Sequence, residues 1–256
     1  MELPQGAGDG TGAGTGDGAE QDAADWERPA PGVARRRLPR WDATTGLVFG
    51  PDAVLLVDAG ASLAEGAEIR RQARRIAGRD VTHLALTHGH FDHVLGAAAF
   101  AGAASYAAVG LDGLLAGGRD ALAADAVAHG LPAAEAAEAV ALLVRPRHPV
   151  SGEMAVDLGG GRRAVLANLG PGHTGHDLAV LVPGEPCVVF CGDLVEESGE
   201  PQAGPDAVPG RWPAALDRLL ALGGEDALYV PGHGAIVDAA FVRGQRDALV
   251  RRFGVS

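Results

Sequence analysis

The chain has 256 residues, and 47% of them are hydrophobic, enough for one large domain or at most two small ones. Its formal net charge is −12 and all 21 basic residues are arginine, so Schiff-base and lysine general-base chemistry is excluded. An acidic body repels phosphate backbones, which makes nucleic acid a poor partner.

Residues 1–30 hold Glu2, Asp9, Asp17, Glu20, Asp22, Asp25 and Glu27 against Arg28 alone. From Gly6 to Asp25 the composition is Gly/Ala/Asp/Thr low complexity, which buries too little apolar surface to offset the entropy of ordering. Residues 1–30 therefore read as a disordered acidic tail, and 31–256 as the folded domain. No basic segment followed by an apolar run marks a signal peptide, and no apolar run reaches the length of a membrane span. A cytoplasmic protein with no membrane partner is expected. Oligomeric state has no signature.

Val33 to Trp41, with Arg35, Arg36 and Arg37, reads as an edge strand or entry loop. Two apolar runs, Thr45–Phe49 and Ala53–Val57, flank Gly50-Pro51-Asp52 as a hairpin, ended by Asp58-Ala59-Gly60. The spacing predicts a helix over Leu63–Ala77, with Leu63, Ala67, Ile69, Ala73 and Ile76 inward and Arg70, Arg71, Arg74 and Arg75 outward. Val81–Leu86 is a short strand running into Thr87-His88. A helix follows near Val94–Phe100, then a strand at Ser105–Val109. Residues 111–144 read as two helices, broken by glycine and proline. Strands are expected at Met154–Leu158, Arg163–Asn168, Leu178–Val182, Cys187–Phe190 and Leu228–Val230, and helices at Trp212–Leu222 and Ala239–Phe253. Cys187 and Cys191 share a strand face too far apart for a disulfide, and read as buried apolar side chains in a reducing compartment. Strands, helices, strands, helices without a repeat suggest two sheets covered by helices.

Chemistry concentrates at His88, His90, Asp92 and His93, four strong metal ligands within six residues just past a strand. Imidazole and carboxylate suit zinc and similar divalent ions, and Gly89 lets the backbone bend between the first two histidines. A solvated polar loop is the alternative, but a chance cluster is improbable in a chain with nine histidines.

His88-x-His90-x-Asp92-His93 resembles the signature of the metallo-β-lactamase superfamily. Asp58-Ala59-Gly60, Gly172-His173-Thr174, Cys191-Gly192-Asp193 and Gly232-His233-Gly234 are similar to its further motifs, in its order, over about Thr44 to Val237. The resemblance implies an α/β fold, a four-layer αββα sandwich of two mixed sheets flanked by helices. It also implies that His88, His90 and His173 bind a first ion, that Asp92, His93 and His233 bind a second, and that Asp193 bridges both. Zinc is the leading candidate, with iron or manganese next. Asp58 would orient a ligand histidine.

The activity implied is a hydrolase in which a metal-bridged hydroxide attacks an ester, thioester, lactone or amide carbonyl, with Asp92 and Asp193 as catalytic groups. An iron-dependent sulfur dioxygenase-like oxidoreductase on the same fold is the competing expectation. His176 could line the site or sit on its rim. Residues 111–150 and Glu196–Arg211 would shape the substrate pocket.

Overall fold

The computed structural model describes residues 26–255. The low-complexity part of the expected tail, up to Asp25, lies outside the described residues. Its boundary at residue 30 is corrected. Trp26 is buried and its indole N–H donates to Gln72 Oε1 at 2.8 Å, and Glu27–Ala30 forms a strand, β1.

β1 pairs antiparallel with β2 (Val33–Arg37), which continues through β3 (Thr44–Phe49) to β4 (Val54–Val57). β5 (His83–Ala85), β6 (Ala104–Ala108) and β7 (His148–Val150) then add in parallel, so strand order in this seven-stranded sheet is the chain order. β4 is buried at every position, as a central strand covered on both faces must be. The second sheet holds β8 (Glu153–Gly159), β9 (Arg162–Asn168), β10 (Leu178–Val182), β11 (Val188–Glu196) and β12 (Leu228–His233), in the order β12-β11-β10-β9-β8. Its strands are antiparallel except β11 with β12. Both sheets are mixed, as expected.

Helix α1 (Leu63–Ala77) has the expected bounds, and its ends show why. Ser62 caps the Glu65 amide at 3.1 Å, a bond of about 1 kcal/mol, and Gly78 closes the helix in the left-handed region. Its buried face is Gly66, Ile69, Gln72 and Ala73, while Ala67 is exposed, correcting the expected inward set. A four-residue helix α2 (Phe91–Val94) runs into a 3-10 helix at Leu95–Phe100. Residues 111–144 form three helices rather than two: α3 (Leu111–Gly117), α4 (Arg119–Ala128) and α5 (Ala133–Ala141). α6 (Trp212–Gly223) and α7 (Ala239–Phe253) complete the chain.

Three apolar layers hold the sandwich together. Leu55, Val57, Val180, Val188 and Phe190 interlock between the sheets. Leu56, Leu84, Ile69 and Leu95 pack the first sheet under α1 and its neighbours. Val189, Tyr229, Trp212 and Leu216 pack the second under α6 and α7. A bridge between Ala43 and His233 ties β12 to the start of β3, closing the sandwich at the end where β4, β5 and β12 finish. Among the described residues no helix is long and apolar enough to cross a membrane.

Candidate metal centre

Parallel strands leave their carboxyl ends facing a common crevice, where α/β sheets place their ligands. Here β4 ends at Asp58 and β5 at Thr87-His88. His90 caps α2, so Asp92 and His93 occupy its first turn, pointing back over the strand ends. His173 comes from the β9–β10 loop, and His233 is the last residue of β12.

Asp193 arrives by a different device. β11 is longer than expected and runs through Cys191-Gly192-Asp193, but its register against β12 slips on both sides of Gly192. Gly192 has φ 54°, and a Cβ there would strike the Thr87 side chain, so only glycine fits. The slip is a bulge that turns the Asp193 carboxylate toward the histidines. Gly232 completes the opening, because a side chain there would collide with Asp193 Oδ1.

The seven residues form two contiguous groups, His88/His90/His173/Asp193 and Asp92/His93/His233. Asp193 lies between them. Its Oδ2 is 3.6 Å from His88 Nε2, 3.5 Å from His173 Nε2 and 3.2 Å from His233 Nε2, and its Oδ1 is 3.2 Å from His93 Nε2. Asp92 Oδ2 is 3.5 Å from His93 Nε2 and 3.4 Å from His233 Nε2. His83, His129 and His148 lie outside both groups. So does His176, whose Nδ1 meets the Val109 carbonyl at 3.0 Å beside Gly110.

The outer nitrogens decide what the inner ones can do. His173 Nδ1 meets the Gln202 carbonyl at 3.0 Å and His233 Nδ1 the Trp41 carbonyl at 3.0 Å. His93 Nδ1 meets Asp58 Oδ2 at 2.9 Å, and His90 Nε2 meets Asp206 Oδ2 at 3.2 Å. Thr87 Oγ1 gives its one proton to Asp58 Oδ2 at 2.7 Å, so it accepts from His88 Nδ1 at 3.0 Å. All five outer partners are acceptors, so each neutral ring carries its proton outward and turns a bare lone pair inward.

Five lone pairs and two carboxylates then face one another. His173 Nε2 and His90 Nδ1 are only 3.0 Å apart, close enough to share one proton or to flank one cation. His88 Nε2, His93 Nε2 and Asp193 Oδ1 are buried without a hydrogen-bond partner. Buried polar atoms as a rule find partners, and three of the five described ones without a partner converge here, which makes the cluster a cradle for cations.

Proton affinities carry the same imprint. Burial pulls His88 well below the ordinary imidazole range despite Asp193, and lowers His173 to about 4. Burial also opposes charge on His93 and His233, but the carboxylates outweigh it, raising His93 far and His233 to about 11. Burial disfavours the Asp193 anion, yet His93, His233 and His88 hold its pKa well below the usual carboxylate range. The metal-free cluster thus keeps protons where cations would sit.

Two residues with no motif around them take part. Asp206, from the loop before α6, holds His90. The Glu196 carboxyl, pushed up to about 7 chiefly by burial and then by Asp193, accepts from the Gln202 amide at 2.8 Å behind His173. A wider cleft of about 690 Å³ lies at the opposite ends of the strands, lined by Pro51, Gly160, Pro183 and Glu185 among others. It has no histidine and does not compete as a metal centre.

Comparison with known proteins agrees with this architecture. The family profile of the metallo-beta-lactamase superfamily matches residues 38–233, a span that contains every residue of the cluster. The chain belongs to the metallo-β-lactamase superfamily. It is 31% identical over 161 residues to metallo-beta-lactamase domain-containing protein 1 of Xenopus laevis, covering 62% of this chain and 57% of that protein. The chain thus spans a little over half the length of that relative.

Solved metallo-β-lactamases superpose on nearly the whole chain. The enzyme from Hirschia baltica does so with TM-score 0.65 at 17% identity, over 88% of this chain and 96% of that one. A Pseudomonas aeruginosa enzyme in its mono-zinc form gives 0.65 at 21% identity, over 89% and 95%. That from Pontibacter korlensis gives 0.68 at 19% identity, over 88% and 97%. At such identities the likeness establishes the αββα fold.

Proposed function

We propose that this superfamily member is a dinuclear metallohydrolase that opens a small-molecule ester, thioester, lactone or amide. His88, His90 and His173 would hold one ion, Asp92, His93 and His233 the other, and Asp193 both. Zinc fits the imidazole-rich, thiolate-free donor set best, with iron or manganese as alternatives. The observation that carries this reading is the set of five imidazoles, each held at its outer nitrogen by an acceptor, whose inner nitrogens converge on two carboxylates.

Two divalent ions bound there supply an activated water near neutral pH and positive charge for the developing oxyanion. Asp193, between the two groups, is assigned to hold that water. Asp92, beside His93 and His233, is assigned the transfer of the proton to the departing group. Asp58 and Thr87 keep His88 and His93 in the tautomer that leaves Nε2 bare. The two free cysteines, Cys187 and Cys191, fit a reducing, cytoplasmic setting, and the acidic charge favours small substrates over nucleic acid.

Elemental analysis of the purified protein should find about two divalent ions per chain. A panel of thioesters, lactones, β-lactams and phosphodiesters, with and without chelator, then identifies the scissile bond. Asp193→Ala should abolish whatever hydrolysis is found. A folded protein that neither contains nor takes up metal would refute the assignment.

A further inference from the structure

We propose that the segment from Glu200 to Arg211, acting through Asp206, sets the metal affinity of the His88/His90/His173/Asp193 half-site separately from the other. The inference rests on reading the centre as a two-ion site, and it makes Asp206 a positioning residue.

Three ligands of this half-site are locked by packing, with side-chain exposures of 1% for His88, 2% for His173 and 6% for Asp193. His90 is less enclosed, its side chain being 26% exposed. Its ring is fixed at the outer nitrogen, where Nε2 lies 3.2 and 3.3 Å from the two Asp206 oxygens. The same segment supplies the Gln202 carbonyl that fixes His173. One stretch of chain therefore orients two of the three imidazoles of one half-site.

The segment has its own anchors. Gln202 N donates to Glu196 Oε1 at 2.8 Å, Val208 N to the Gly172 carbonyl at 2.9 Å, and Arg252 Nη1 to the Pro201 carbonyl at 2.6 Å. Asp206 is thus presented from a braced loop although its side chain is 44% exposed. The other half-site does not depend on it. His93 is oriented by Asp58 at the end of β4, and His233 by the Trp41 carbonyl, both parts of the first sheet's frame. Asp58 braces His88 through Thr87 as well as His93, so the support that belongs to one half-site alone is the segment holding His90 and His173.

The test is a zinc titration of the metal-free, full-length protein in competition with a colorimetric chelator. The wild type should show two binding steps. Asp206→Ala should weaken one of them by about 10–100-fold, as loss of a ligand histidine's outer partner does, and leave the other unchanged. His90→Ala identifies the step, since it removes a ligand of the same half-site. Asp206→Asn retains an acceptor oxygen for Nε2–H and should recover part of the loss. Thermal unfolding of metal-free Asp206→Ala should match the wild type, excluding a general loss of fold. Unchanged affinities, or equal losses at both steps, would overturn the proposal. A wild type that binds fewer than two ions overturns the two-ion reading itself, whatever the variants do.

Discussion

Asp58→Asn is the perturbation that most directly probes how the fold presets the centre. Asp58 is 2% exposed and accepts from Thr87 N at 2.8 Å, Thr87 Oγ1 at 2.7 Å and His93 Nδ1 at 2.9 Å. It also has φ 58°, a conformation that asparagine tolerates, so the backbone need not move. The amide oxygen can keep the Thr87 N–H, but the amide N–H₂ then replaces Oδ2, facing two former donors. Hydrogen bonds to a charged group are worth about 1.5–3 kcal/mol each, so losing two costs roughly 3–6 kcal/mol. Removing a buried carboxylate returns part of its desolvation, leaving a net loss of about 2–4 kcal/mol. For a domain of this size that lowers Tm by about 5–15 °C. The second consequence is chemical. His93 can satisfy the new amide donor only by moving its own proton from Nδ1 to Nε2, the nitrogen that faces the centre, and a protonated nitrogen cannot ligate. Thermal unfolding of the metal-free variant followed by zinc titration should therefore show both the loss of stability and about 10–100-fold weaker zinc binding. Unaltered unfolding together with two wild-type binding steps would refute the tautomer argument.

Two further outcomes follow from the geometry. Burial raises the Asp177 carboxyl to about 7 although Thr174 N–H and Oγ1–H donate to it, so its folded value lies above the ordinary 3.8. Stability from its neutral form is complete below about 4 and is lost as pH rises through about 7, so urea unfolding should show the wild type weakening relative to Asp177→Asn across that window. Gly232→Ala removes no ligand, yet its methyl would press on Asp193 Oδ1 and the Gly192 carbonyl carbon. It should cost about 1–3 kcal/mol of stability and lower the zinc content of the purified protein, since the displaced carboxylate serves both half-sites.

What the sequence made legible was what side-chain pattern alone encodes. α1 has a capping serine, a repeating apolar face and a closing glycine, and its bounds were readable to the residue. His88 to His93, His173, Asp193 and His233 were readable because their residue types and order are distinctive. β1 and β7 were not, because Glu27–Ala30 and His148–Val150 are short, contain proline and have no alternation; their pairing comes from the neighbouring strand. The bulge that turns Asp193 inward was also hidden, since an apolar run followed by glycine looks like a strand end. Asp206 was missed for another reason. It is one aspartate in a Gly/Pro-rich loop, and its meaning depends on His90, 116 positions away. The Trp41 and Gln202 carbonyls leave no trace at all, because every residue has one.

That last point bears on how the centre is stabilised. Orienting five imidazoles through outer acceptors fixes the inner nitrogens in place before any ion arrives, which reduces the ordering cost of binding. The same arrangement penalises the metal-free fold, because bare nitrogens and buried carboxylates repel one another at 3.0–3.6 Å. Protonation of His93 and His233 relieves part of that repulsion, so there the carboxylates outweigh burial and raise the pKa, whereas at His88 and His173 burial prevails and lowers it. Ions entering the centre must displace those two protons. Metal affinity should therefore weaken as pH falls, and most strongly at the His93/His233 half-site, because there the competing protons are held by the same carboxylates that would hold the ion.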